Sequence, residues 1–339
     1  MSMQGQIIVL DGPDAVGKTT LAKKIQERVP NTRYMHLTYR WKDKIFDYHT
    51  GAIHLASKWS KLSNVIIDRW WPSEACYATT YRRTSAWPLQ GRFCDRVALK
   101  HGVVYVNCLP DQNTIERHKL MKEMRVEMYD DIGRLCDLYK DLYYGNPDHT
   151  DKGNYIDQLI LSGGMQQMPY CIPYTIEKWG SHLDQFVDLL MHVGKTHREY
   201  QWKSALDPED HNILGHKHFA HRLFVGEIVN PKYKGVFWPF YEYNNSSLYL
   251  TQALHNLWLN ERECAYTNVK NKDGKVDLRY VEEAQQNEID IIAMGNVAAD
   301  TLQKHNIEPN GIMKHPSYYK RFLNGEGFKQ IEQDLEEVI

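Results

Sequence analysis

Gly12-Pro13-Asp14-Ala15-Val16-Gly17-Lys18-Thr19-Thr20 follows directly on the apolar run Ile7-Ile8-Val9-Leu10 and opens a helical pattern carried by Leu21, Ile25 and Val29. The stretch fits the spacing G-x-x-x-x-G-K-[ST], with the strand before it and the helix after it that the motif needs. Glycines let the backbone curl until successive N–H groups point at one phosphate, and the following helix adds the positive end of its dipole. Gly12, Asp14, Ala15, Val16, Gly17, Lys18, Thr19 and Thr20 are therefore read as a nucleoside-triphosphate cradle. Lys18 brings a mobile positive charge to the β- and γ-phosphates, and the Thr19 hydroxyl stands where an Mg2+ ligand is required.

Asn64-Val65-Ile66-Ile67-Asp68-Arg69-Trp70-Trp71-Pro72-Ser73-Glu74 is the second decisive stretch. Its β-branched run ending in Asp-Arg predicts a parallel strand that delivers two charges to the carboxyl edge of the sheet, where open α/β sheets bind ligands. Asp68 at that edge can orient Mg2+ or accept a proton from an attacking hydroxyl, and Arg69 can clamp a phosphate. Pro72 and Glu74 predict a helix start, so that Ser73, Tyr77 and Arg82 project from one helical region beside the phosphates. Val103-Val104-Tyr105-Val106, with its exit turn at Cys108-Leu109-Pro110-Asp111, predicts a third buried strand. Asn31 to Lys61 shows no clear period. Thr114 to Leu142 is a charge-dense helical segment bearing Arg117, Lys119, Lys122 and Arg125. A helix of this kind can close over a nucleotide and bring arginines onto the transferring phosphoryl, the role expected of Arg117 and Arg125.

The 339 residues suit two domains, and a 42% hydrophobic content is enough for packed cores. Lysine plus arginine total 41 against 43 acidic residues, so net charge gives no global attraction to nucleic acid. Cys76, Cys94, Cys108, Cys136, Cys171 and Cys264 lie far apart without a C-x-x-C pair. They are expected to be reduced and mostly buried rather than metal-bound. No apolar run approaches the ~18 residues of a membrane span, and the chain runs almost at once into its first strand. No membrane partner and a cytoplasmic location are expected, the host cytoplasm if the protein is viral. Aromatic residues, 12% of the chain, suit core packing and base stacking alike.

Taken together, IIVLDGPDAVGKTTLAKKI, VIIDRWWPSEACY, VVYVNCLP and the arginine-bearing helix resemble thymidylate kinases over about the first 145 residues. The resemblance implies ATP as donor, Mg2+, and a pyrimidine acceptor near Tyr77 and Arg82, with a homodimer compatible with it. The chain departs from that family in Trp70-Trp71-Pro72 and in running on for nearly two hundred further residues.

From Gly145 the composition shifts to Gly, Asn, Asp, His and Pro, with further punctuation at Ser162-Gly163-Gly164 and Pro169-Tyr170-Cys171-Ile172-Pro173. Ile176 to Leu206 carries Trp179, Leu183, Phe186, Val187, Leu190 and Val193 at helical spacing. It predicts one long amphipathic helix bridging two domains, in which His182, His192 and His197 are incidental. Beyond it, strands at Leu223–Glu227, Tyr266–Val269 and Ile291–Gly295, with helices after the first and last, imply a second α/β layer. The ordered groups VGE, PFY, YTNV, IIAMGNVAADTL and HPS resemble the uracil-DNA glycosylase superfamily over roughly residues 220 to 322. That resemblance implies that Phe240 stacks on a flipped base, Asn268 reads its Watson–Crick edge and His315 contacts the base or its backbone. Gly226-Glu227-Ile228-Val229-Asn230 carries no aligned aspartate, so this domain is expected to hold a base rather than cut its sugar bond.

The expected fold is α/β: a P-loop NTPase parallel sheet with helices on both faces, residues 1–150, a helical connector, 151–215, and a uracil-DNA glycosylase-like α/β domain, 216–339. The combination resembles the bacteriophage 5-hydroxymethyluracil DNA kinases of thymidine hypermodification. It implies a phosphotransferase acting on a pyrimidine in DNA, with a dTMP-like deoxynucleotide kinase and an ATP-regulated DNA glycosylase as the alternatives.

Overall fold

The computed structural model describes residues 5–38, 45–82, 90–109, 113–115, 132–150, 155–167, 171–200, 213–214, 220–228, 247–257, 259, 263–271, 273–323 and 326–339. The chain is α/β and divides into two units, Met1–Cys94 with His101–Glu199, and Asp95–Lys100 with Tyr200–Ile339. Among the described residues no helix is long and apolar enough to cross a membrane. The cysteines are free thiols, all buried except the half-buried Cys171, as the spacing predicts.

In the first unit the strands are β1 (Ile7–Asp11), β2 (Thr32–His36), β3 (Asn64–Asp68), β4 (Val104–Cys108) and β5 (Cys171–Tyr174). The helices are α1 (Lys18–Arg28), α2 (Ile45–Trp59), α3 (Trp71–Tyr77), α4 (Gln90–Lys100), α5 (Ile132–Tyr144), α6 (Tyr155–Leu161), α7 (Ile176–Trp179) and α8 (Leu183–Tyr200). A π-helix, Ala78–Arg82, continues α3. The last residues of α4 fall to the second unit. All strands pair in parallel in the order β2-β3-β1-β4-β5. The central strand β1 and its neighbour β4 are buried along their whole length, the near-continuous apolar pattern of a sheet covered on both faces.

The 151–215 expectation changes here, because the first unit runs on to Glu199. Residues 171–174 form its fifth strand, with Cys171 opposite Tyr105 and Tyr174 opposite Cys108. Pro173 is tolerated because β5 is an edge strand. The glycines near 145 and 163 mark a tight packing of two helix ends rather than a linker. Asn146 N–H donates to the Ile160 carbonyl, and a Cβ on Gly164 would sit 2.5 Å from the Gly145 nitrogen. The predicted long helix is two helices. Thr175 caps the first through Lys178 N–H at 3.3 Å, and the chain turns at 180–182 into α8. The apolar stripe of α8, Phe186, Val187 and Leu190, packs with Leu21 and Ile25 of α1 on the sheet residues Ile8, Leu10, Ile66 and Val104. An exposed apolar stripe of that width demands a partner, and the parent sheet supplies it.

The second unit holds β6 (Ile213–Leu214), β7 (Arg222–Ile228), β8 (Cys264–Lys270), β9 (Asp290–Met294) and β10 (Gly311–Met313) in the order β10-β9-β7-β8-β6. Among the described strands only β6 is antiparallel. Its helices are α9 (Ser247–Asn256), α10 (Arg279–Gln286), α11 (Asn296–Lys304), α12 (Pro316–Phe322) and α13 (Gly327–Glu336). The strands expected at 223–227, 266–269 and 291–295 are β7, β8 and β9. Leu223, Val225, Ala265, Ile291 and Ala293 meet Val281 and Ala284 of α10 and Ala298 and Leu302 of α11 in one core. The chain leaves β7 toward β8 on one side and β9 toward β10 on the other. This makes the β7/β9 boundary a topological switch point, where ligands of open α/β sheets bind.

Candidate active site

The carboxyl ends of β1 and β3 form one edge, since Leu10 stands opposite Asp68 and Asp68 opposite His36. Gly12 leaves β1 at φ 144°, and a Cβ there would lie 2.0 Å from the Cys108 carbonyl oxygen, so the loop cannot start with any other residue. Gly17 occupies the N-cap of α1 without a side-chain cap, which leaves the first-turn amides to an anion. Lys18 is the first residue of α1 and is buried, its ammonium donating to the carbonyls of Gly12 at 2.8 Å and Pro13 at 2.5 Å. Val16 is buried, while Thr19 and Thr20 are exposed.

Arg69 follows β3 with φ 75°, a left-handed conformation costing a bulky residue roughly 1–2 kcal/mol. The turn is held by Arg69 N–H donating to the Leu10 carbonyl at 2.8 Å, and it sends the guanidinium back to pair with Asp14 of the loop. The same guanidinium lies 5.3 Å over the Tyr77 ring. The Tyr77 hydroxyl accepts from Asp14 N–H at 3.0 Å, so α3, the loop and β3 are tied at one point. The Arg69 Nε is buried with no hydrogen-bond partner among the described residues, and so is Oδ1 of Asp68.

These groups border a cavity of about 370 Å³ lined by Asp14, Arg69, Ser73, Tyr77, His36 and, on its aromatic walls, His49, Trp70 and Tyr81. The π-helix keeps Tyr81 beside Tyr77, ring centroids 5.9 Å apart, an irregularity found often at functional sites. His49 packs against Trp70 at 5.4 Å, and burial pushes its imidazole down to about 3, so it is neutral. The cavity is of small-ligand size.

The fold brings Lys18, Asp68, Arg69, Asp14, Ser73 and Tyr77 together. Ser73 is buried in a network, donating to Asp11 Oδ1 at 2.6 Å and accepting from Tyr139 at 2.9 Å. Arg82 ends the π-helix. Arg117, Arg125 and Phe240 lie outside the described residues. In the second unit, Asn268 of β8 is buried opposite Gly226 of β7. His315 caps α12, its Nδ1 accepting from Ser317 N–H at 3.1 Å, and a Cβ on Gly295 would come within 3.0 Å of its own Cβ. Burial lowers the His315 pKa against the pull of Glu227 of β7.

Asp11, Tyr34, His36, His49 and Tyr81 were missed from sequence. Asp11 was open to detection, being a carboxylate at a strand end like Asp68. It is fully buried, accepting from Trp70 N–H, Ser73 and, at 2.9 Å, the Tyr143 hydroxyl. Burial raises its pKa despite these bonds and Lys18, so the fold favours the neutral acid and gains as the pH falls, the reverse of a salt-bridged aspartate. Asp11→Asn keeps the shape and lets Tyr143 accept. It is expected to unfold in urea within about 1 kcal/mol of the parent, whereas Asp11→Leu, which strands three donors, loses about 3 kcal/mol.

Mg2+ takes few protein oxygens and keeps phosphates and waters. Among the described residues no group of three or more His, Cys, Asp or Glu could hold a metal by itself. The Thr19 hydroxyl fits an ion that arrives with a nucleotide, and the unpartnered Asp68 Oδ1 is open either to that ion or to a proton.

Burial, with the Arg69 charge added, pushes the Lys18 ammonium below its ordinary range, against Asp68 and Asp14. Bound phosphates reverse that push. ATP binding is expected to take up protons, more of them as the pH rises toward the depressed lysine value. Calorimetry in buffers of different ionisation enthalpy reads the uptake, and a buffer-independent heat at every pH would contradict it.

No protein-family model matches the chain, and no curated protein does. Among solved structures it is similar to the YorR protein of Bacillus subtilis in complex with phosphorylated GDP, at 18% identity and a TM-score of 0.42, over 58% of this chain and 100% of that one. It is also similar to the thymidylate kinase of Candida albicans, at 15% identity and a TM-score of 0.35, over 58% of this chain and 94% of that one. At scores this low the functional reading rests on the geometry of the loop, the Asp-Arg edge and the cavity.

Proposed function

We propose that the chain is an ATP- and Mg2+-dependent phosphotransferase whose acceptor is a hydroxyl on a pyrimidine, the 5-hydroxymethyl group of 5-hydroxymethyluracil in DNA. The observation that carries this is the juxtaposition of a buried P-loop lysine, an aspartate with an open buried oxygen, and an aromatic cavity sized for one nucleoside. The amides of the loop and of the first turn of α1 bind the phosphates, and Lys18 neutralises the bridging region. Thr19 would hold Mg2+, which when bound would neutralise charge on the phosphate oxygens. Tyr77 and Tyr81, tilted beside each other on the cavity wall, offer faces for a base to stack on. Asp68 takes the hydroxyl proton as the oxygen attacks the γ-phosphorus; the bond to the β-bridging oxygen breaks, and ADP leaves. The product is a phosphate ester on the base. Asn268 on β8, opposite Gly226 of β7, and His315 beside the end of β9 support a DNA base, rather than a free nucleotide, as what the protein handles.

Radiolabelled ATP offered with hydroxymethyluracil DNA, unmodified DNA and free dTMP tests the reading. Label in the hydroxymethyluracil DNA alone is expected. Label only in dTMP makes the chain a nucleotide kinase, and base release from uracil DNA that survives Lys18→Ala makes it a glycosylase.

A further inference from the structure

The Asp68 carboxylate is not symmetric in its surroundings. Its Oδ2 accepts from the Tyr34 hydroxyl at 2.5 Å and lies 3.2 Å from His36 Nδ1, while Oδ1 is buried without a partner among the described residues. Tyr34 and His36 alternate on β2, so both side chains leave the same face of that strand, and His36 stands opposite Asp68 in register. Leu37 N–H donates to the Asp68 carbonyl at 2.9 Å, which fixes the end of β2 against the end of β3. His36 also lines the cavity beside Arg69.

The terminal torsion of an aspartate is broad, so an unsupported carboxylate swings about its Cβ–Cγ bond. The Tyr34 hydroxyl bond, with the His36 ring nitrogen beside the same oxygen, removes that freedom, because hydrogen bonds to a carboxylate are stronger than neutral ones. We propose that Tyr34 and His36 are positioning residues: they pin Oδ2 and leave Oδ1 as the single oxygen that receives the acceptor's proton. The inference rests on the phosphotransferase reading and adds to it which atom does the work and what holds it.

The test is a series of Tyr34→Phe, His36→Ala, His36→Asn and the double Tyr34→Phe/His36→Ala, assayed with the acceptor labelled best by the parent enzyme. Tyr34→Phe is expected to lower kcat about tenfold and the double variant about a hundredfold, with KM for ATP and the melting temperature unchanged. His36→Asn, which keeps a donor, should recover most of what His36→Ala loses. Crystals of the double variant should hold Asp68 with its carboxylate turned. A double variant within about twofold of the parent kcat, or one whose Asp68 keeps the parent torsion, overturns the proposal. A parent enzyme that labels no acceptor refutes the phosphotransferase reading instead, and the Asp68 torsion in the crystals then decides the positioning claim alone.

Discussion

Lys18→Ala is expected to lower kcat/KM for phosphoryl transfer about 10³-fold, some 4 kcal/mol of transition-state stabilisation. The lysine is buried at the first position of α1, where an ammonium faces whatever the loop amides hold. In so dry a site its charge is screened little, and it matters most where charge spreads over the transferring phosphoryl. The loss should divide between weaker ATP binding and slower turnover. Folding should survive, since the depressed pKa means that the buried ammonium is itself a cost to the native state. Equilibrium binding of an ATP analogue, steady-state rates and a thermal melt read the three quantities. A variant that turns over like its parent would remove the P-loop from the chemistry.

Asp68→Asn is expected to lower kcat about 10³-fold while ATP affinity stays within about twofold. Asparagine is isosteric, and its carbonyl oxygen can take the place of Oδ2, accepting from Tyr34 and lying beside His36. The amide nitrogen then stands where the open oxygen was and cannot accept a proton. The same variant separates the two roles the aspartate could play. Loss of kcat alone marks a proton acceptor, whereas a parallel loss of Mg2+-dependent ATP affinity marks a metal ligand. Titrating Mg2+ in binding and in turnover distinguishes them, and a kcat near that of the parent would contradict both.

Much of the first unit was legible because its signals are local. The strand, glycine loop and helix of the P-loop lie within some twenty residues, and the apolar run ending in Asp68 needs no knowledge of its neighbours. β2, by contrast, reads Thr-Arg-Tyr-Met-His and is largely exposed, so no apolar alternation announces it; its pairing with β3 makes it a strand. β5 carries a proline that argues against a strand until its edge position is known. In the second unit β7 and β9 carry apolar runs legible for the same reason as β1, while β8 reads through its β-favouring Tyr266, Thr267 and Val269.

The sequence alone determined the strand, glycine loop and helix that begin at residue 7 and the Asp-Arg pair that ends a neighbouring strand, because glycine geometry and β-branched runs act over a few residues. Only the tertiary structure decided that residues 171–199 complete the first unit, that Asp11 gathers Trp70, Ser73 and Tyr143, and that Tyr34 and His36 hold one oxygen of Asp68. Those contacts join residues that only strand order and helix packing bring together. Side-chain hydrogen bonds depend on ångström-scale proximity in space, which separation along the chain does not encode.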